Sequence, residues 1–341
     1  MTEPNHQIIL KSRPRGWVAE SDFGWRESVL PEPGDGDVLV RAIYMSLDPY
    51  MRGRMDDAKS YAQYFQLNEP LQARVIGEVV ATRNDGYKEG DTVYGMLDWA
   101  DYSLAVGGQG LRHVEDDLAP LPYYLGALGM PGMTAWIGME MGATRPGETV
   151  FVSAASGAVG QIAGQIGKIQ GCRVVGSAGT DAKAAFVVDD LGFDAAFNYN
   201  AVPDYLDGLR EHAPDGLDVY FDNVGGEMLE AALDHANVRA RVIVCGMISQ
   251  YNLNRDEMTG VRNLSHINRK RLRMEGFIVS DHNERLDEFM QQMAGWLTSG
   301  EVKYRIDITD GLENAPAAFI AMLKGENFGK QVVRIDRDTP Q

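Results

Sequence analysis

The segment Thr149–Ile169, TVFVSAASGAVGQIAGQIGKI, decides the fold of this 341-residue chain. It starts with a short apolar run, Thr149–Ser153, which predicts a buried strand. A glycine-containing turn follows, and apolar residues then recur at helical spacing, at Val159, Ile162, Ala163, Ile166 and Ile169. A strand, a tight turn and an amphipathic helix in this order predict the first half of a βαβ unit.

The turn Ala155–Gly160, with the sequence ASGAVG, is typical of dinucleotide binding when it stands between a strand and a helix. Gly157 lets the backbone approach a pyrophosphate, and Gly160 lets the helix pack tightly on the sheet. The N-terminus of the helix offers unpaired N–H groups to the anion. Ala155 departs from the pattern, which has its first glycine at that position, and a purely structural turn is the alternative interpretation.

Strands and helices alternate from this turn as far as about Ser280. One helix is predicted over Asp181–Leu191. Further strands are predicted over short apolar runs, at Arg173–Ser177, Ala195–Tyr199, Leu217–Phe221, Val238–Cys245 and Phe277–Val279. Alternation of this kind indicates an α/β fold with a doubly wound parallel sheet of the Rossmann type.

The first third of the chain is β-rich and indicates a small barrel or sandwich. Its strands are predicted at Asp37–Ala42, Val75–Ala81 and Val93–Gly95. Near the C-terminus, Ala315–Leu323 predicts a helix and Lys330–Ile335 a strand that returns to the first domain. A single core seldom exceeds about 300 residues, so we expect two domains. We assign residues 1–125 to this β-rich first domain, 126–300 to a nucleotide-binding domain and 301–341 to the return.

Charge and cysteine content restrict the partners and the compartment. The chain has 49 Asp and Glu against 32 Lys and Arg, a net charge of −17 that repels nucleic-acid backbones and anionic lipids. We interpret the basic cluster Arg269–Arg273 as a solvated segment before the Phe277–Val279 strand. Two cysteines, Cys172 and Cys245, cannot build a disulfide framework. Without an apolar leader at Met1–Leu10 or a run of membrane-spanning length, we expect a cytoplasmic protein.

The end of the second strand of the βαβ unit indicates which nicotinamide cofactor is bound. Enzymes that bind NAD place an acidic residue there, whereas Gly176–Gly179 contains no carboxylate. Its absence removes repulsion against the 2′-phosphate of NADP(H), and Lys183 is the nearest cation. We hypothesise that Lys183 binds this phosphate. An exposed lysine in the first turn of a helix is the equally weighted alternative.

The chemistry follows from the motifs that the sequence lacks. The six histidines and two cysteines form no metal-ligand pattern, so we predict no metal. No tyrosine has a lysine four residues later, which excludes a short-chain dehydrogenase pair. Hydride transfer without a metal and without a tyrosine–lysine pair favours reduction of a conjugated carbon–carbon double bond. The carbonyl then spreads the charge as an enolate, which hydrogen bonds can stabilise.

Eight stretches together resemble one family. They are SLDPYMRGRM (Ser46–Met55), GMPGMTAW (Gly129–Trp136), AASGAVG (Ala154–Gly160), GSAGTDAK (Gly176–Lys183), FDNVGG (Phe221–Gly226), CGMISQYN (Cys245–Asn252), MEGFIV (Met274–Val279) and ENFGK (Glu326–Lys330). In this order they are similar to the zinc-free medium-chain dehydrogenase/reductases that include leukotriene hydroxydehydrogenase and the prostaglandin and curcumin reductases. The resemblance implies a GroES-like catalytic domain, a Rossmann domain, NADP(H) as cofactor, an enone or enal substrate and a homodimer.

The resemblance also implies roles for individual residues. Lys183 and Tyr199 would hold the 2′-phosphate. Tyr251 would hydrogen-bond the nicotinamide ribose and organise the donors that face the enolate. Tyr50 is a weaker catalytic candidate or a core aromatic, and Arg52 shapes the substrate entrance or pairs with an acidic neighbour. The other cofactor contacts would be Gly157, Ala158, Val159 and Gly160 at the pyrophosphate, and Asn223, Cys245, Gly246, Ser249, Phe277, Ile278, Val279 and Asn327 along the rest of the dinucleotide.

Two other functions fit the same scaffold. An NADPH:quinone reductase would use the same cofactor on a ring that needs no protonation at carbon. A non-catalytic NADPH-binding protein would keep the cofactor motifs without turnover.

Overall fold

The structure, a computed structural model, describes residues 4–114, 118–254 and 256–336. The expectation that Met1–Leu10 holds no apolar leader and the assignment of residues 301–341 therefore lie partly outside the described residues. The chain divides into two compact units. The split unit comprises Met1–Leu125 and Ile306–Gln341, and the mid-chain unit comprises Gly126–Arg305. Within the described ranges, no helix is long and apolar enough to cross a membrane.

The elements of the described residues are numbered in chain order. The strands are β1 Asn5–Leu10, β2 Phe23–Ser28, β3 Val38–Ser46, β4 Gln72–Thr82, β5 Thr92–Asp98, β6 Tyr102–Ala105, β7 Arg112–His113, β8 Thr149–Val152, β9 Arg173–Ala178, β10 Ala195–Asn198, β11 Leu217–Asp222, β12 Ala236–Val244, β13 Arg273–Gly276, β14 Ile306–Asp310 and β15 Lys330–Arg334. The α-helices are α1 Met51–Arg54, α2 Met130–Gly142, α3 Gly160–Ile169, α4 Asp181–Asp189, α5 Tyr205–His212, α6 Gly226–His235, α7 Ser265–Arg269, α8 Leu286–Ser299 and α9 Ala315–Leu323.

The split unit is built on a largely antiparallel sheet. Its strand order is β14-β15-β3-β4-β5-β7, with β6 also paired to β3, and β14 and β15 are the parallel pair. The core lies between these strands and α9, where the rings of Trp99 and Phe319 meet edge to face at 6.0 Å. The buried Lys330 Nζ donates to Asp48 Oδ1 at 2.7 Å, which ties the start of β15 to the residues after β3. The expected β-rich domain is confirmed.

The mid-chain unit contains a parallel sheet with the order β10-β9-β8-β11-β12-β13. The chain starts at β8, moves outward through β9 to β10, and returns to β11 on the other side of β8. The boundary between β8 and β11 is therefore the point where the direction of winding reverses, and this order is that of a doubly wound nucleotide-binding sheet. The α/β fold predicted from the sequence is confirmed.

The prediction of a strand over Phe277–Val279 is wrong. The last strand, β13, covers Arg273–Gly276 and pairs with Arg241–Val244 of β12. The pairing of β12 with β13 ends at Val244 and Gly276, and beyond it the N–H groups of Cys245 and Gly246 donate to the Asp222 carbonyl. Phe277–Val279 instead forms a half-buried segment directly beyond the end of the strand.

Candidate cofactor site

The predicted cofactor residues of the mid-chain unit lie along one edge of its sheet. All six strands are parallel, so their carboxyl ends share that edge. After these ends come Gly157–Gly160 (β8), Lys183 (β9), Tyr199 (β10), Asn223 (β11), Cys245–Tyr251 (β12) and Phe277–Val279 (β13). Doubly wound sheets bind their ligands at this edge, beside the reversal point.

The turn between β8 and α3 depends on glycine at two positions for different reasons. A Cβ on Gly160 would lie 2.3 Å from the Ala154 carbonyl oxygen and 2.9 Å from Ala155 Cα, so only glycine lets α3 start this close to the turn. A Cβ on Gly157 would meet only the Ala154 oxygen, at 3.1 Å, among the described atoms outside its chain neighbours. The fold itself therefore requires Gly160 more strictly than Gly157.

Ala155 occupies the position where the dinucleotide pattern has its first glycine, and Gly176 compensates for it. Ala155 is fully buried, and its N–H donates to the Ser177 carbonyl of β9 at 2.9 Å. A Cβ on Gly176 would lie 2.7 Å from the Ala155 methyl group. The Ala155 methyl group therefore fits because β9 has no side chain at Gly176, and the position of the turn against β9 is unchanged.

Lys183 and Tyr199 lie near the end of β9. Thr180 caps α4 by accepting the Lys183 N–H at 3.2 Å, which fixes the backbone from which the lysine extends. A Cβ on Gly179 would lie 2.8 Å from the Tyr199 hydroxyl, so this hydroxyl lies over Gly179. Lys183 is only 7% exposed, and the alternative of a solvent-exposed lysine is wrong. Burial raises the pKa of Tyr199, so its hydroxyl is a donor at neutral pH.

Asp181 is the one carboxylate in the first turn of α4, and it is hydrogen-bonded away from that turn. Asn198, the last residue of β10, donates from Nδ2 to Asp181 Oδ1 at 2.8 Å. Asn200 donates to the Gly179 carbonyl at 2.9 Å and closes the same loop. The Asp181 carboxylate is thereby held toward Asn198 at the end of β10.

The ends of β8 and β11 are joined by a buried polar network. Ser153 Oγ accepts the Asn223 N–H at 3.0 Å, and Asn223 Nδ2 donates to the Ser153 carbonyl at 2.8 Å. Asp222 Oδ1 accepts the Tyr220 hydroxyl at 2.6 Å and the N–H groups of Val224 and Gly225. Burial raises the pKa of Asp222 despite these donors. The network holds Asn223 in place beside the reversal point.

The loop after β12 is fixed against the end of β11 by backbone contacts. The N–H groups of Cys245 and Gly246 both donate to the Asp222 carbonyl, at 2.9 and 3.0 Å. Ser249 donates to the Val224 carbonyl from its N–H and, at 2.6 Å, from its hydroxyl. Because these donors anchor it, this loop presents its remaining groups in a fixed arrangement.

Tyr251 ends the same loop, and its hydroxyl is the main hydrogen-bond donor considered there. Its hydroxyl oxygen accepts the Met247 N–H at 3.2 Å, an arrangement that orients the hydroxyl proton away from Met247. Burial raises the pKa of Tyr251, and burial beside Asp222 raises the pKa of Cys245 to about 12. At neutral pH Tyr251 is therefore a neutral donor. Cys245 is a thiol and not a thiolate, so it contributes shape and not a nucleophile.

The remaining predicted residues lie in two places. In the mid-chain unit, the Phe277 ring packs at α2, where a Cβ on Gly138 would lie 3.0 Å from it. In the split unit, Asn327 donates from Nδ2 to the Gly329 carbonyl at 2.7 Å. Tyr50 is half-buried at the start of α1, where Arg54 hydrogen-bonds with its hydroxyl.

Burial, and after it the Asp48 carboxylate, raises the pKa of Tyr50, so this hydroxyl is also protonated at neutral pH. Arg52 donates to Asp56 at 2.8 Å and to the Gly16 carbonyl at 3.0 Å and is 3% exposed. Of the two roles considered for Arg52, the structure contains the pairing with an acidic neighbour.

Sequence reasoning missed the groups that support the site from behind. Asp222 and Ser153 stand inside stretches that were recognised, but nothing in their spacing indicated a shared network. Tyr304 donates from its hydroxyl to the Ala158 carbonyl at 3.1 Å, across 146 residues. No local pattern around Tyr304 signals this contact.

Comparison with known proteins gives matches over almost the whole chain. Residues 6–114 match a family described as the N-terminal domain of oxidoreductase, and residues 158–295 match one described as zinc-binding dehydrogenase. Among the described residues, no three His, Cys, Asp or Glu side chains are grouped so as to hold a metal ion.

The alignments with individual relatives span nearly the full length of this chain and of each relative. A putative NADP-dependent oxidoreductase of Bacillus subtilis is 46% identical over 98% of this chain and 99% of its own. The NADP-dependent 2-alkenal reductase of Nicotiana tabacum is 44% identical over 98% of each chain. The crystal structure of CurA from Vibrio vulnificus in complex with NADPH superposes with a TM-score of 0.92 at 40% identity, over 97% of this chain and 99% of that one. The Escherichia coli quinone oxidoreductase, at 19% identity over 96% of this chain and 99% of its own, and a TM-score of 0.76, shares the fold alone.

Proposed function

The chain belongs to the medium-chain dehydrogenase/reductase family, among its NADP-dependent oxidoreductases, and from this membership we propose that it reduces the carbon–carbon double bond of a small α,β-unsaturated ketone or aldehyde with NADPH. The observation that carries the proposal is the 44% identity, over 98% of both chains, to an NADP-dependent 2-alkenal reductase. The sheet edge supports it, because a glycine turn suited to a pyrophosphate and a fixed tyrosine donor lie on the same edge.

The choice of NADPH over NADH is assigned to Lys183 and Tyr199. Both follow the ends of adjacent strands, β9 and β10, and the Tyr199 hydroxyl lies over Gly179. The nearest carboxylate, Asp181, already accepts a hydrogen bond from Asn198. Lys183 supplies a cation and Tyr199 a phenol donor, while the Asp181 carboxylate is hydrogen-bonded to Asn198. This arrangement favours a phosphate on the 2′-oxygen of the ribose.

The reaction needs little more from the protein than positioning and one polarised donor. When bound, NADPH supplies the hydride that the substrate accepts at its β-carbon. Tyr251 is held by Met247 with its proton available, and it stabilises the charge that develops on the carbonyl oxygen. Solvent or a tyrosine then donates a proton to the α-carbon, which completes the saturated carbonyl product. Tyr50 is the second candidate for a substrate contact, since its hydroxyl is kept protonated by burial and by Asp48. Asn223, Cys245, Gly246, Ser249, Phe277–Val279 and Asn327 are proposed to line the dinucleotide.

We also propose that the protein is a cytoplasmic homodimer. Both cysteines are free thiols, which fits a reducing compartment. Among the described strands, β13 ends the mid-chain sheet, and three of its four residues are exposed. An open strand edge of this kind can pair with a second copy. Light scattering after size exclusion should give twice the chain mass, and a monomer mass would contradict the dimer.

The test of the proposed function is NADPH oxidation against a panel of acceptors with product identification. Alkenals and alkenones should be reduced to saturated carbonyl compounds, and a simple quinone should react more slowly. Faster quinone reduction would favour the quinone reductase. NADPH binding without oxidation by any acceptor would favour a non-catalytic protein. Replacement of NADPH by NADH in the same assay should greatly reduce the rate, because NADH has no 2′-phosphate for Lys183 to bind.

A further inference from the structure

The segment Lys303–Arg305 runs beside helix α3 and is held there by two buried glutamines. Gln165 accepts the Lys303 N–H and donates to the Lys303 carbonyl, both at 2.8 Å. Gln161 accepts the Arg305 N–H at 2.9 Å and donates to the Arg305 carbonyl at 3.1 Å. Each side-chain amide thus pairs with both the N–H and the carbonyl of one residue, as the backbone of a neighbouring strand would. The backbone is therefore fixed on both sides of Tyr304.

Tyr304 uses this support to reach the phosphate-binding turn. Its side chain is buried, and its hydroxyl donates to the Ala158 carbonyl at 3.1 Å. A Cβ on Gly126 would lie 2.2 Å from the Tyr304 ring, so the ring lies flush against the backbone before α2. The hydroxyl has little freedom to move away from Ala158, because the ring and the backbone are both confined.

We propose that Tyr304 is a positioning residue for the pyrophosphate site, an inference that rests on the proposed use of NADPH. The carbonyl of Ala158 and the N–H of Val159 belong to one planar trans peptide and point in opposite directions. A hydrogen bond that fixes the carbonyl therefore fixes the direction of the N–H. Val159 precedes the first residue of α3, where N–H groups have no partner inside the helix and can bind an anion. Tyr304 thus sets the direction of a donor without touching the ligand.

The competing explanation is that Tyr304 only fills space next to Gly126. Tyr304→Phe separates the two explanations, because it keeps the ring and removes only the hydroxyl. Tyr87→Phe is a matched control in the split unit, where the Tyr87 hydroxyl donates to the Leu111 carbonyl at 2.9 Å. Both variants lose one phenol-to-carbonyl hydrogen bond. Only the first loses one at the phosphate-binding turn.

The experiment measures dissociation constants by titration calorimetry for NADPH and for adenosine 2′-monophosphate, which lacks the pyrophosphate. Tyr304→Phe should weaken NADPH binding about 5-fold to 10-fold, the net effect of one hydrogen bond, and leave adenosine 2′-monophosphate unchanged. Tyr87→Phe should change neither constant. Melting temperatures of the two variants should fall by similar small amounts.

Three outcomes would contradict the proposal or its basis. NADPH binding by Tyr304→Phe within twofold of the wild-type protein overturns the positioning role. An equal loss of affinity for both ligands also overturns it, because the defect is then general. If the wild-type protein binds adenosine 2′-monophosphate but not NADPH, the pyrophosphate site is wrong. If it binds neither, the proposed function itself fails.

Discussion

Replacing Gly160 with alanine should damage both the stability of the mid-chain unit and the binding of NADPH. The added Cβ would lie 2.3 Å from the Ala154 carbonyl oxygen and 2.9 Å from Ala155 Cα. Both are backbone atoms, so no side-chain rotation relieves the contact and α3 has to move away from the turn. Overpacking of this kind costs about 1–3 kcal/mol of the free energy of unfolding. The same movement displaces the N–H groups at the start of α3. The loss of one hydrogen bond to a charged group should raise the dissociation constant of NADPH about 10-fold or more.

Two other glycines provide controls for this experiment. Gly295 lies inside α8, and a Cβ there would meet no described atom within 4 Å, so Gly295→Ala should stabilise the helix by about 0.5–1 kcal/mol. Its NADPH affinity should equal that of the wild-type protein. Gly157→Ala adds a methyl group with one close neighbour at 3.1 Å, so it should cost much less stability than Gly160→Ala while still weakening NADPH binding. Thermal melting and calorimetric titration measure the two properties separately.

The reasoning is refuted if Gly160→Ala melts with the wild-type protein and binds NADPH as tightly. It is also refuted in part if Gly157→Ala destabilises the protein as strongly as Gly160→Ala. In that case packing within the turn, and not the approach of a ligand, would explain the glycine at Gly157.

Three further predictions concern charge and chemistry. Lys183→Met keeps the apolar stem and removes the cation, so the dissociation constant of NADPH should rise about 10-fold to 100-fold while that of NADH stays constant; an equal change for both cofactors would contradict the assignment. Tyr251→Phe should lower the turnover number about 100-fold without abolishing activity, and complete loss with intact NADPH binding would make this tyrosine an obligatory acid. Burial raises the pKa of Asp98 from 3.8 to about 6. The positive charge of Arg26 lowers this pKa in part, and the negative charge of Glu69 raises it. The folded state therefore holds this proton to higher pH than the unfolded state, and about 3 kcal/mol of stability present in acid is lost as the pH rises through 6. Asp98→Asn should raise the melting temperature at about pH 8 and not at about pH 4, whereas equal shifts at both would contradict the raised pKa.

The sequence predicted the mid-chain sheet well because its signals are local. Buried parallel strands contain continuous apolar runs, and β8, Val174–Val175 of β9, Val219–Phe221 of β11 and Val242–Val244 of β12 stand out for that reason. The edge strand β13 has no such signal, since three of its four residues are exposed, and the apolar residues after it were mistaken for the strand. Helix α2 lacks an apolar stripe because most of its thirteen residues are buried.

The candidate site was predictable where a residue follows directly on its own strand, and much less so where its partner is distant in the chain. Lys183 could be placed near the end of β9 from sequence, but its burial depends on contacts that sequence spacing does not contain. The contact from Tyr304 to Ala158 and the pairing of Ser153 with Asn223 join segments that only the folded sheet brings together. Tertiary contacts of this kind leave no periodic trace in either segment.

The proposed 2′-phosphate residues and the glycine turn lie in different loops of the sheet edge, so cofactor preference could change without loss of the fold. Lys183 and Tyr199 lie after β9 and β10, and their environment is set by hydrogen bonds within that loop, such as the one from Asn198 to Asp181. The pyrophosphate turn is set instead by backbone contacts at Gly160, which tolerate no side chain. Asn198→Ala would release the Asp181 carboxylate next to Lys183 and weaken the preference for a 2′-phosphate. The same change would leave the turn intact, because none of its contacts passes through Asn198. On the proposed assignments, preference for the 2′-phosphate and binding of the pyrophosphate are therefore separable properties of neighbouring loops.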